Sequence, residues 1–120
     1  MKIVFFGNGA RAYYCLEFLL LNKIKILSLV TTEDEVLREP SLIDLAKKNN
    51  IEYLISNTPN DEKSFLFLNK KNPDLFILGG FSKILKEEII NIPKIFTINL
   101  HGGKLPKYRG SSPLNWALIN

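Results

Sequence analysis

At 120 residues and 13.7 kDa, with 46% apolar and 23% charged residues, the chain has the size and composition of one folded domain and is too apolar to be disordered. Its longest apolar runs (Ile3–Phe6, Phe18–Leu21, Leu75–Leu78) fall far short of the ~20 residues of a membrane span, and the start lacks the length and cleavage site of a signal peptide. A single cysteine, Cys15, excludes an internal disulfide and a multi-cysteine zinc site, and the net charge of +4 comes from scattered Lys and Arg that suit small anions better than nucleic acid; a reduced, cytoplasmic protein without a metal is expected.

Lys2–Phe6 reads as a buried parallel strand ending at Gly7. The turn Gly7-Asn8-Gly9 leads into a helix over Ala10–Leu21, where Tyr13, Leu16, Leu20 and Tyr14, Phe18, Leu21 recur at helical spacings. Ile24–Thr31 reads as a second strand and Thr32–Pro40 as a polar loop. Ser41 can cap a helix over Leu42–Asn49, with Asp44 three residues on completing a capping-box-like pattern. Ile51–Ile55 follows as a third strand, then a helix over Asp61–Lys70 with Phe65 and Leu68 on one face. Asp74–Leu78 is a fourth strand closed by Gly79-Gly80. A short helix over Lys86–Ile90, a fifth strand over Ile95–Asn99 and a Gly/Pro-rich loop over Leu100–Gly110 come next; Pro113 suits the first turn of a last helix running to the end.

This alternation predicts a single α/β domain: a doubly wound, mostly parallel, Rossmann-like sheet with helices on both faces. Ligands of such sheets lie at the carboxyl ends of the strands, where Gly7-Asn8-Gly9, Gly79–Ser82 and Asn99–Gly110 all fall.

Two motifs carry chemistry. Gly7-x-Gly9-x-x-Ala12, between a strand and a helix, matches the dinucleotide fingerprint, and Glu33 and Asp34 follow near the position where an acid would hold a ribose. The same glycines also serve a tight turn that binds nothing, so a nicotinamide-binding domain and a plain α/β turn both remain open. The second motif starts at Asn99-Leu100-His101, with the chain's one histidine. In an extended strand these two positions share a face, placing an amide donor beside a base of pKa ~6.5. Acyl transfer to an amine needs that pair: the nitrogen must shed a proton while the acyl oxygen becomes an anion.

Asn99-x-His101 followed by Leu105-Pro106-Lys107-Tyr108-Arg109-Gly110 resembles the signature of the folate-dependent formyltransferases, and Met1–Gly9, Gly79–Leu85 and Ile92-Pro93-Lys94 fall where that family places them. The resemblance implies formyl transfer from 10-formyltetrahydrofolate, with Asn99 and His101 catalytic. The donor would lie against Phe81, Ser82, Ile84, Leu85, Leu105, Pro106, Tyr108, Arg109 and Gly110. His101-Gly102-Gly103-Lys104 and Pro113-Leu114-Asn115-Trp116 are similar to the branch that formylates nucleotide-linked amino sugars. Asn8, Arg11, Tyr13, Lys83, Gly103 and Lys104 are then the expected sugar-nucleotide contacts, with the cations on its diphosphate. A methionyl-tRNA formyltransferase domain is the alternative acceptor reading. The expected partners are small molecules, with no membrane, no nucleic acid on the sugar reading, and a homodimer open for the full-length protein. The family's third catalytic residue is an aspartate well beyond the histidine. No acid follows Glu88 here, so the 120 residues are expected to be the truncated amino-terminal part of the catalytic domain, with little turnover alone.

Overall fold

Residues on the central strands alternate between two apolar cores, one on each face of a single sheet. A computed structural model of the chain describes residues 1–102 and 114–119. On β1 (Ile3–Phe6), Ile3 and Phe5 enter one core while Val4 and Phe6 enter the other. On β4 (Leu75–Leu78), Leu75 and Ile77 join the first and Phe76 and Leu78 the second. Both strands are buried along their whole length, the condition for a parallel strand covered on two faces.

The first core is closed by α1 (Gly9–Leu21) and α2 (Leu42–Lys48) through Ala12, Cys15, Leu16, Leu19, Leu42, Leu45 and Ala46. The second is closed by α3 (Glu62–Lys70) and the short α4 (Glu87–Ile90) through Leu68, Phe65 and Ile89. With β2 (Ser28–Thr31), β3 (Glu52–Ile55), β5 (Phe96–Gly102) and β6 (Leu114–Ile119), the sheet order is β3-β2-β1-β4-β5-β6. The first five strands are parallel, which makes the sheet doubly wound and mostly parallel as predicted.

Local signals account for the element ends. Ser41 Oγ accepts from the Asp44 amide at 3.0 Å, the predicted cap of α2, and Asp61 Oδ1 does the same for Ser64 at 2.8 Å at the start of α3. Both α1 and α2 close with the reciprocal pair of bonds typical of a left-handed C-terminal residue: Lys23 and Ile24 donate to Leu20 and Leu19, and Asn50 and Ile51 to Lys47 and Ala46. Lys23 and Asn50 accordingly have φ of 65° and 57°. This closure takes the amides of Ile24 and Ile51, the first residues of the two predicted strands, into the helix ends. β3 therefore begins at Glu52 rather than Ile51, and β2 begins at Ser28 rather than Ile24.

One element departs from expectation. The helix predicted from Pro113 to the end is replaced by the strand β6, antiparallel to β5 from Thr97↔Ile119 to Gly102↔Leu114. Without it the outer side of β5 would carry a row of unpaired amides and carbonyls; pairing satisfies them, outweighing helical spacing in so short a run.

Candidate active site

The chain leaves β1 toward β2 on one side and returns to β4 on the other, so the strand order reverses between β1 and β4. A crevice opens at the carboxyl ends of such a pair. Here Phe6 is level with Leu78, and both strands run directly into glycine turns. A Cβ on Gly7 would lie 2.5 Å from Ala12 Cβ and 2.8 Å from Phe5 Cε1. One on Gly79 would lie 2.5 Å from Phe5 Cζ and 2.9 Å from Cys15 Sγ. A single fully buried ring, Phe5, thus forms the floor under both turns and requires glycine at each.

The two turns are bonded to each other. Gly79 N–H donates to Phe6 O at 2.8 Å and Asn8 N–H to Gly80 O at 3.0 Å. The Asn8 side-chain oxygen accepts from Ser82 N–H at 2.7 Å. Beyond Ser82, the Asn60 carboxamide holds the same loop at two points, donating to Ile84 O and accepting from Lys86 N–H, both at 2.7 Å. Two asparagines from different connections therefore fix the course of Gly80–Lys86. Within it Phe81 packs edge-to-face on Phe6, with ring centroids 5.5 Å apart, and Leu85 is buried in the second core. Ile84 is 86% exposed. Of the residues predicted to touch the donor, Ser82 and Ile84 are exposed and Phe81 is half-buried, whereas the Leu85 side chain is a core contact.

The substrate-side predictions divide similarly. Arg11 is exposed on the first turn of α1 beside Gly80, whose Cβ would stand 3.7 Å from Arg11 Cβ. Lys83 is half-buried, and Tyr13 is half-buried against the first core and edge-to-face with Tyr14. Asn8 joins the two turns. Gly103, Lys104, Leu105, Pro106, Tyr108, Arg109 and Gly110 lie outside the described residues.

The acid at the fingerprint turn is neither Glu33 nor Asp34. Glu35, fully buried in a 3-10 turn over Glu33–Glu35, accepts from Gly9 N–H at 2.8 Å and from Arg38 Nε at 2.5 Å. Glu33 is exposed, and Asp34 pairs with Arg38 and Thr32. The Thr32 hydroxyl, aided by Arg38 and opposed by desolvation, holds the Asp34 carboxyl below its ordinary value. The amino terminus of α1, where a dinucleotide pyrophosphate would sit, is thus filled by the chain's own carboxylate. The nicotinamide alternative is disfavoured on that geometry, since a phosphate there would face a buried like charge.

β5 is longer than predicted. Asn99 is level with Leu78, the last residue of β4, and is half-buried. The strand continues through Leu100, His101 and Gly102 to the carboxyl edge where the glycine turns lie. In this unbroken extension positions 99 and 101 share one sheet face, the relation expected from their spacing.

The family model described as "Formyl transferase" matches residues 1–120. The chain belongs to the formyl transferase family. A methionyl-tRNA formyltransferase of Acetivibrio thermocellus is 35% identical over 126 residues, covering 100% of this chain and 40% of that protein. The bifunctional polymyxin resistance protein ArnA of Wigglesworthia glossinidia brevipalpis is 38% identical, covering 100% of this chain and 19% of that protein. Among solved structures, a phosphoribosylglycinamide formyltransferase from Bacillus halodurans superposes with a TM-score of 0.72, covering 100% of this chain and 72% of that one at 11% identity. At that identity the likeness speaks for the fold. The chain spans about 40% of the length of the methionyl-tRNA formyltransferases it matches.

Two residues that hold the turns of this crevice, Glu35 and Asn60, were not among the candidates read from the sequence. Pro59-Asn60-Asp61 carries a turn signal that could have drawn attention to Asn60. Glu35 had none: in the run Glu33-Asp34-Glu35 the sequence does not distinguish the third acid, which only the fold buries.

Proposed function

We propose that this formyl transferase domain moves the formyl group of 10-formyltetrahydrofolate to a primary amine, with the amino group of methionyl-tRNA as the acceptor in the whole protein. The observation that carries the reading is the continuation of β5 through Asn99 and His101 to the edge of the glycine-turn crevice. The family match over 1–120 supports formyl transfer, and the relatives named methionyl-tRNA formyltransferase support the acceptor. In the reaction the amine nitrogen attacks the formyl carbon, the carbonyl oxygen takes up negative charge, and the bond from that carbon to the folate nitrogen breaks as the amine loses a proton. Asn99 serves as the donor to the oxyanion and His101 as the acceptor or relay of the amine proton. Phe81, Ser82 and Ile84 supply the wall for the donor, whose loop is held by Asn8 and Asn60.

A nucleotide-linked amino sugar is the second reading, and one observation favours it. The Thr32–Pro40 connection beside the crevice exposes three carboxylates, Glu33, Asp34 and Glu39, against the one guanidinium of Arg38. Such a surface repels a polyanion such as RNA more than a small acceptor. Formyl transfer from 10-formyltetrahydrofolate should be measured with methionyl-tRNA and with nucleotide-linked amino sugars, in the wild type and in His101→Ala. The substitution is expected to lower turnover roughly 10²–10⁴-fold. Turnover unchanged in His101→Ala would refute the assignment, and a preference for the sugar acceptor would replace the first reading by the second.

A further inference from the structure

A buried carboxylate is a poor device for stability alone. Glu35 is fully buried, yet only one of its oxygens is satisfied: Oε2 accepts from both Gly9 N–H and Arg38 Nε, while Oε1 is buried with no hydrogen-bond partner among the described residues. Burying such a group costs several kcal/mol before its partners return anything, and an apolar side chain of the same volume would fill the space more cheaply. Its position accounts for its presence. The amino terminus of α1 presents amides and a positive dipole end, and Gly9 is the first residue of that helix. Glu35 meets it as an internal anion.

What the carboxylate holds extends further. Gly9 is bonded to Glu35, its neighbour Asn8 donates to Gly80 O, and Asn8 Oδ1 accepts from Ser82 N–H. The acidic connection after β2 is therefore linked, through Gly9 and Asn8 of one turn, to the loop after β4. We propose that Glu35 is the positioning residue of the crevice: it occupies the helix terminus in place of a ligand phosphate, closing that terminus to anions, and sets the Asn8 turn that in turn sets the Gly80–Leu85 loop. The positional role for a formyl donor rests on the function proposed above; the occupied terminus and the linkage between loops do not.

The test uses Glu35→Ala and Glu35→Gln with readouts independent of formyl transfer. In Glu35→Ala the vacated terminus should accept an added carboxylate. Acetate, compared with chloride at equal ionic strength, is expected to raise Tm by about 2–6 °C in the variant and not in the wild type. Amide hydrogen exchange at Ser82 is expected to quicken about tenfold or more in Glu35→Gln, and in Glu35→Ala to slow again when acetate is added. A folded Glu35→Ala that shows no acetate-specific rise in Tm overturns the internal-anion assignment. Equal Ser82 exchange in Glu35→Gln and wild type overturns the linkage, and this measurement decides the matter where Glu35→Ala does not fold. A third readout concerns the donor: in a formyl transferase with Asn99 and His101 intact, Glu35→Gln should raise KM for 10-formyltetrahydrofolate several-fold and leave kcat within about twofold. An unchanged KM overturns the donor-positioning role while leaving the first two measurements to stand or fall separately.

Discussion

Gly79→Ala tests the floor of the crevice most directly. The new methyl would stand 2.5 Å from Phe5 Cζ, 2.7 Å from Phe5 Cε2 and 2.9 Å from Cys15 Sγ. Carbon atoms pack at about 3.5–4.0 Å, so the ring must withdraw by roughly 1 Å. It has little room to do so: Phe5 is fully buried on β1, between the backbone of two paired strands and the first turns of α1. Inserting a methyl into a core of this kind costs about 1–3 kcal/mol. For a chain between the 100- and 150-residue classes that is a fall in Tm of roughly 3–15 °C, measurable by thermal unfolding followed by circular dichroism. A second background isolates the cause. Phe5→Leu removes the ring atoms that the methyl would strike, so Gly79→Ala should cost less there than in the wild type, with a coupling of about 0.5–3 kcal/mol. A Tm within measurement error of wild type, or an equal loss in both backgrounds, would refute the assignment of Phe5 as the group that demands glycine.

Further outcomes follow from the described geometry. Burial pushes the Cys15 thiol up to about 11, so iodoacetamide at pH 7.5 should leave it unlabelled in the native chain and label it promptly in denaturant. Asp34, Asp61 and Asp74 all have carboxyls held below their ordinary value, chiefly by the Thr32 hydroxyl, the Ser64 amide and the Lys2 amide respectively. The unfolded chain therefore takes up these protons first. The stability they contribute is complete above the unfolded value of ~3.9 and is lost as pH falls through the folded values. Tm measured from pH 6 to pH 3 should be level at first and then decline, and a rise on acidification would contradict the sign. Lys23 sits at φ 65° after α1, a conformation that costs a side-chain-bearing residue about 1–2 kcal/mol, partly offset in Lys23→Gly by the greater freedom of glycine when unfolded. Lys23→Gly should raise stability by up to about 1 kcal/mol in urea titration.

The parts of the fold legible in the sequence were those set by local rules. The apolar runs of β1 and β4 and the Ser41 cap are each decided within a few residues. Boundaries failed where a neighbouring element claimed the backbone: the closing bonds of α1 and α2 took the first residues predicted for β2 and β3, and the open side of β5 drew Leu114–Ile119 into a strand. The site shows the same division. Positions 99 and 101 could be paired from the sequence because i and i+2 on one strand is a local relation. Glu35 and Asn60 act on residues 26 away, on Gly9 and on Lys86, and no periodicity signals such a contact.

That division explains why the Gly7-x-Gly9-x-x-Ala12 pattern does not name its ligand. Each member is accounted for by packing. Gly7 is small because Phe5 and Ala12 occupy the space of its Cβ, Ala12 is small for the reciprocal reason, and Gly9 takes φ 89° to start the helix. The pattern thus describes how closely a strand and a helix approach, which any α/β crossover of this tightness needs. What binds at the helix terminus is chosen by a group outside the pattern. Where that group is a cation or a free amide, an incoming phosphate gains; where it is a buried carboxylate already bonded to Gly9 N–H, the same phosphate meets a like charge and loses the donor it needs. The fingerprint sets the shape of the crevice, and Glu35, bonded to Gly9 N–H, fills the helix terminus that the pattern leaves open.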